Sequence, residues 1–126
     1  VGQALVLEDS KATRRFLVAL LRALDFEVLE AADGREGLRV LERCQDVELM
    51  LVDWNMPDID GLEFIRLVRK KPGFEHVPLM MVTTEIEMSR VGAALDAGAD
   101  EYLMKPCTLE MVRDKLEILG IRGGRR

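Results

Sequence analysis

The stretch that most constrains the fold is residues 47–58, where an unbroken apolar run over 49–52 stops abruptly at a carboxylate, Asp53. A run of that length bounded by polar residues reads as a strand buried on both faces, in the middle of a sheet. Such strands belong to parallel sheets flanked by helices, where chemistry collects at the carboxyl ends of the strands. Three other apolar segments end in the same way: residues 4–7 run into Glu8 and Asp9, residues 79–82 into Thr83 and Thr84, and residues 102–104 into Lys105 and Pro106. Acid, acid, hydroxyl and amine thus meet at one predicted edge.

Between these strands, apolar residues recur at helical spacing. Leu17, Leu20, Leu21 and Leu24 mark a helix over about 11–25, capped by Asp9 or Ser10, with Arg14, Arg15 and Arg22 solvating its other face. Strand 27–31 leads to the cap and turn Ala32-Asp33-Gly34 and a short helix over 35–44 that turns Leu38 and Leu41 inward. Gly37 weakens that helix, since glycine costs about 1 kcal/mol in a helix interior. Strand 48–53 follows, then a loop shaped by Pro57 and Gly61, helix 62–70 and strand 78–83. A helix over 85–97 carries Val91, Ala94 and Leu95 and ends at Gly98 as C-cap. Strand 101–104 and helix 108–119, with Leu109, Val112, Leu116 and Leu119 on one stripe, close the pattern at Gly120.

Five strand–helix alternations with short, right-handed connections give an α/β fold, a three-layer α/β/α sandwich. Periodicity does not supply the strand order. The flavodoxin-like order 2-1-3-4-5 is one common solution for a five-stranded parallel sheet, and it would set Glu8 and Asp9 beside Asp53.

The 126 residues suit a single domain over 1–120, with 121–126 a short tail or the start of a linker. A net charge of -5 gives no general attraction to nucleic acid or to an anionic membrane, and the arginines within 122–126 are too local to change that. No stretch approaches a membrane span or a leader segment. Cys44, Cys107 and one histidine make neither a disulfide framework nor a zinc site, which fits a reducing, cytoplasmic compartment. With Val1 at the start, either a methionine was removed or an upstream part is absent.

Taken singly, the polar residues have ordinary explanations: Asp53 as a loop residue, Glu8 and Asp9 as caps, Lys105 as a solvated charge, Thr83 and Thr84 as strand formers. Their co-occurrence after separate strands shifts the balance. Three close carboxylates repel one another unless a cation joins them, and hard oxygen ligands suit magnesium or manganese. A phosphoryl group between that metal and Lys105 would be neutralised from both sides, with Thr83 donating to a further oxygen. An aspartate can itself be the nucleophile toward phosphorus, and Asp53 is the central one.

As a set, Glu8-Asp9, Asp53-Trp54-Asn55-Met56-Pro57, Asp60-Gly61, Thr83, Ala97-Gly98-Ala99 and Lys105-Pro106 resemble the CheY-like receiver domain of two-component response regulators, over residues 4–119. The resemblance implies that Asp9, Asp53 and the backbone carbonyl of Asn55 bind Mg2+ directly, with Glu8 acting through water in place of the commoner aspartate. It implies a cis peptide before Pro106 and a switch pair, Thr83 and Tyr102. The altered surface would include Ile86, Met88, Arg90, Val91, Tyr102 and Lys115, on the fourth helix, fifth strand and fifth helix. Asp-Trp-Asn-Met-Pro, Asn55 and Glu85 are most similar to the family's stand-alone chemotaxis regulators. Thr84 departs from the small alanine common there, which would narrow the route to the acyl phosphate. Cys107 stands where a bulky apolar residue is usual.

The function so implied is a phosphorylation-activated switch that takes its phosphoryl group from a histidine kinase onto Asp53. It catalyses its own modification and hydrolysis but turns over no external metabolite. Its output is contact with a downstream protein target or with an effector domain absent from this chain, as a monomer or a phosphorylation-dependent dimer, with no direct nucleic-acid or membrane partner. A docking module that is never phosphorylated is the alternative. A haloacid-dehalogenase-type phosphatase would need a second aspartate where Asn55 stands. A flavodoxin-like cofactor protein would meet repulsion from Glu8 and Asp9 at its phosphate loop.

Overall fold

The structure, a computed structural model, describes residues 2–84 and 86–121. Five parallel strands form one sheet: β1 (Gln3–Leu7), β2 (Glu27–Ala31), β3 (Val47–Asp53), β4 (Leu79–Thr83) and β5 (Glu101–Met104), in the order β2-β1-β3-β4-β5. The helices are α1 (Lys11–Ala23), α2 (Gly34–Arg43), α3 (Gly61–Arg69), α4 (Val91–Ala97) and α5 (Leu109–Leu119). The flavodoxin-like order is therefore the one adopted, and β1 lies beside β3 with Leu7 opposite Val52.

Alternation along the strands sorts the core onto the two faces of the sheet. Leu5, Leu7, Met50, Val52 and Met81 pack toward α2, α3 and α4 with Trp54, Phe64, Ile65, Val68 and Val91. Ala4, Val6, Leu49, Leu51, Met80, Val82 and Leu103 pack toward α1 and α5 with Leu17, Leu21, Val112 and Leu116. Burial on both faces is what made residues 49–52 read as a continuous apolar run.

Four helices are capped by a side chain at the residue before their first turn. Ser10, Asp33, Asp60 and Thr108 accept from the backbone amides of Thr13, Glu36, Glu63 and Met111. Each such bond is worth about 1 kcal/mol, because a helix start leaves four amides without partners. Ser10 rather than Asp9 takes the first of these roles, which leaves the Asp9 carboxylate exposed at the rim.

Several expectations are corrected. The helix expected over 85–97 begins later, as a 3-10 turn over Met88–Arg90 that runs into α4, and no side chain caps it. Glu85 and residues 122–126 lie outside the described residues. Val91, expected on the altered surface, is buried at 7% exposure, whereas Leu95, expected in the core, is 44% exposed. Starting the α-helix at Val91 leaves room for only two turns, and Val91 and Ala94 alone fill its inward stripe. Arg14 does not solvate an outer face. It donates to the Glu8 carbonyl at 2.8 Å and to Glu30 at 3.2 Å, pinning the loop after β1 to the end of β2. Gly37 has a packing reason for its place, since a Cβ there would meet Leu7 at 3.0 Å and Phe64 at 3.1 Å. The first helix ends at Ala23, slightly short of the expected bound.

Candidate functional site

The carboxyl ends of β1, β3, β4 and β5 deliver Glu8, Asp53, Thr83 and Lys105 to one place, and all of them are wholly or partly withdrawn from water. Glu8 is 1% exposed, Asp53 5% and Thr83 0%. Carboxylate oxygens of Glu8, Asp9 and Asp53 all lie within 4.8 Å of one another. The Lys105 ammonium donates to Glu8 Oε1 at 3.2 Å and to Asp53 Oδ1 at 3.3 Å. Its backbone N–H also donates to the Thr83 carbonyl at 2.7 Å, which fixes the end of β5 against the end of β4.

The site is held under electrostatic tension. Burial pushes the Glu8 carboxyl above its ordinary value, and the neighbouring Asp53 charge adds to the rise against the pull of Lys105. Burial likewise pushes Asp53 up, with Lys105 again opposing. Burial works against the charge on Lys105 too, but the two carboxylates together outweigh it and hold the ammonium firmly protonated. One lysine does not fully compensate two buried acids and a third at the rim.

That imbalance is the fit test for a divalent cation. Three carboxylates converging from two strand ends, open to solvent on the Asp9 side, are the hard oxygen donor set that suits Mg2+, which keeps several of its waters. Asn55 lies two residues past Asp53 in the loop after β3, with its side-chain amide donating to Glu87 Oε2. Gly61 is required where that loop closes, since a Cβ there would collide with the Asp53 carbonyl. The Lys105–Pro106 peptide is cis, as the resemblance implies.

Thr83 is more constrained than its sequence signal indicates. Its hydroxyl accepts from the Trp54 indole N–H at 3.0 Å and donates to the Thr84 carbonyl at 3.3 Å. Trp54 is wholly buried, and the Arg90 guanidinium stacks 4.5 Å from its ring centroid. Tyr102 lies further out on β5, half-buried, with Lys115 Nζ 4.3 Å from its ring centroid and tied to Glu101 at 2.7 Å. Cys107 is buried beside Phe16 and Leu17, along a hollow of about 400 Å³ that a larger side chain would enter.

Three residues escaped the sequence reading: Trp54, Glu87 and Arg14. Trp54 stood within the motif but was an apolar neighbour until its N–H found Thr83. Glu87 read as part of a helix. Its carboxylate accepts from Asn55 and, at 3.2 Å, from Thr84. Arg14 followed the helical period of an exposed face. Only the Asp-Trp pairing carried a usable signal, since a fully buried indole N–H seeks an acceptor.

Comparison with known proteins gives a consistent picture. The response regulator receiver domain family matches residues 4–117. A chemotaxis protein CheY homolog of Campylobacter jejuni is 40% identical over 122 residues, covering 95% of this chain and 94% of that one. The structure of the Vibrio cholerae chemotaxis protein CheY4 is similar with a TM-score of 0.86 at 30% identity, covering 94% of this chain and 98% of that one. The receiver domain of a sensor histidine kinase from Pseudomonas aeruginosa, with a magnesium ion coordinated in its active-site cleft, is similar with a TM-score of 0.84 at 27% identity, covering 99% of this chain and all of that one.

Proposed function

The chain belongs to the response regulator receiver domain family, and from that premise we propose that it is a phosphorylation-activated signalling switch whose Asp53 accepts a phosphoryl group from the phosphohistidine of a histidine kinase. The observation that carries this reading is the position of Lys105, 3.2 Å from Glu8 and 3.3 Å from Asp53, over a buried carboxyl that one ammonium does not fully compensate.

In the transfer, an Asp53 carboxylate oxygen forms a bond to phosphorus as the kinase's phosphorus–nitrogen bond breaks and the imidazole leaves. Lys105 can follow a phosphoryl oxygen while keeping Glu8 as its second partner. The Thr83 hydroxyl, sharing its acceptor capacity with Trp54 and donating to a neighbouring carbonyl, is free to redirect its proton to a phosphoryl oxygen. Asp9, Asp53 and the Asn55 carbonyl would hold Mg2+, with Glu8 through water. The ion would supply neutralisation of charge on the phosphoryl oxygens. Self-catalysed loading and hydrolysis are then the only chemistry assigned to the chain.

Redirection of Thr83 opens space toward β5, where Tyr102 waits half-buried. The proposed readout is the face of α4, β5 and α5, with Ile86, Met88, Arg90, Tyr102 and Lys115 exposed or partly so. A protein target, or an effector domain outside these residues, would read it, and the kinship with CheY proteins points first to chemotactic signalling. Domain limits at 1–120 accord with α5 ending at Leu119 and the left-handed Gly120.

The test is intact mass after incubation with Mg2+ and acetyl phosphate, beside an Asp53→Ala variant. One phosphoryl group is expected on the parent only, lost to hydroxylamine and not formed with chelator. A folded parent that gains none would reassign the site to metal-dependent docking.

A further inference from the structure

Glu87 stands where a helix cap is expected and does not act as one. It precedes the 3-10 turn Met88–Arg90, yet its side chain makes no bond to that turn. The same position before each of the other four helices is used for capping. The Glu87 carboxylate reaches across the site instead. One oxygen accepts from the Asn55 amide and the other from the Thr84 hydroxyl at 3.2 Å. Asn55 lies two residues beyond Asp53, and Thr84 directly follows Thr83. A single carboxylate therefore ties the loop after β3 to the loop after β4. The backbone steadies the tie, with the Glu87 N–H donating to the Thr84 carbonyl at 3.1 Å and the Glu87 carbonyl accepting from Arg90 N–H at 2.9 Å.

We propose that Glu87 is a positioning residue for the phosphoryl chemistry of Asp53, a charged tie across the two loops that slows passage of the phosphoryl group in both directions. The proposal rests on Asp53 being the acceptor. With acetyl phosphate, loading forms the Asp53 oxygen–phosphorus bond as the donor's oxygen–phosphorus bond breaks and acetate leaves. Loss is attack of a water oxygen on the same phosphorus, which breaks the bond to Asp53 and gives inorganic phosphate, the free carboxylate and a proton to solvent. Each reaction needs a reactant to come in line with the bond to Asp53, and the proposed approach runs beside Asn55, two residues beyond Asp53, and Thr84, next to Thr83. Holding those two side chains together hinders donor and water alike. The negative charge hinders only the anionic donor, adding to the repulsion from Glu8, Asp9 and Asp53.

Glu87→Ala removes tie and charge, whereas Glu87→Gln removes the charge and keeps a side chain able to bridge. Loading by acetyl phosphate and decay after its removal are followed by intact mass, with thermal unfolding as the check that each variant is folded. The alanine variant is expected to load and lose phosphate about fivefold faster. The glutamine variant is expected to load faster by a similar factor but to lose phosphate at less than about twice the parent rate. Parent loading should rise with ionic strength, and loading of the glutamine variant should rise less steeply because Glu8, Asp9 and Asp53 remain, a difference that a merely structural tie does not give. Equal rates and equal salt dependence in all three proteins, with the adduct formed, would overturn the proposal alone. No adduct on the parent would overturn the reading of Asp53 and this proposal with it.

Discussion

Arg69, at the amino ends of β4 and β5, donates to the carbonyls of Gly98, Phe74 and Val77 and to the Asp100 carboxylate, whereas Lys105, at the opposite ends, meets two buried carboxylates. Around Arg69 each contact answers a local need. Asp100 also accepts from the Leu79 amide at 2.9 Å, and Asp100 N–H returns a bond to the Leu79 carbonyl at 2.8 Å. The result is a joint that fixes α3 to the starts of two strands. Around Lys105 the contacts leave Glu8 and Asp53 above their ordinary pKa values because burial outweighs the one cation. Charged side chains at one edge of the sheet complete the fold, and at the other they keep it short of a cation. A receiver needs both: a rigid base, and a site whose balance a small charged group can tip.

Removing the joint at Arg69 should separate the two ends of the sheet. Arg69→Met takes a donor from three carbonyls and leaves Asp100 only the Leu79 amide, and should lower unfolding free energy by about 3 kcal/mol in urea titration. Mg2+ affinity of the folded variant should be unchanged, and a parallel loss would show that the edges are coupled. Lys105→Met should cost about 2 kcal/mol at neutral pH without Mg2+. It leaves Glu8 and Asp53 facing one another, so stability should recover as pH falls. The sign follows from raised carboxyl pKa values: the folded state binds more protons than the unfolded, and stability is lost as pH rises through the folded values.

At the site end, loss of a charge should have the opposite sign. Asp53→Asn should raise stability by about 1 kcal/mol in chelator at neutral pH, with the gain fading as pH falls through the raised pKa of Asp53. Mg2+ should then stabilise the parent more than the variant, because only the parent keeps all three carboxylates. Thermal melts with chelator and with Mg2+ read both. A lower melting temperature for the variant in chelator would mean that the carboxylate is well compensated after all. The smallest effect expected is from Arg90→Ala, about 0.5 kcal/mol, since it removes only the stacking on Trp54 at the surface.

The backbone was legible where local signals agree. Residues 27–31 form β2 as read, and Asp33, Thr108, Gly98 and Gly120 end or begin helices where their side chains and left-handed tolerance place them. The start of α4 was not, because Glu87 gives its carboxylate to Asn55 and Thr84 rather than to the amides of its own helix. Arg14 obeys the period of a solvated face, but its guanidinium is drawn to the Glu8 carbonyl across the loop. The residues gathered in the site were visible because each follows an apolar strand. Their tension was not visible, since it depends on how deeply Glu8 and Asp53 sit and on a lysine 52 residues or more away in the chain.

Trp54 is the one tryptophan in the chain. It follows Asp53 directly, donates to Thr83 and lies beneath Arg90. Intrinsic emission from the protein therefore comes from a chromophore wired to the end of β3, the Thr83 hydroxyl and the 3-10 turn before α4 at once. Cation arrival, phosphorylation of Asp53 and movement of that turn would each perturb the same indole by a different route, through field, hydrogen bond and stacking. Rapid-mixing fluorescence can thus resolve the order of these events in unlabelled protein, with Arg90→Ala silencing the helix contribution and leaving the other two.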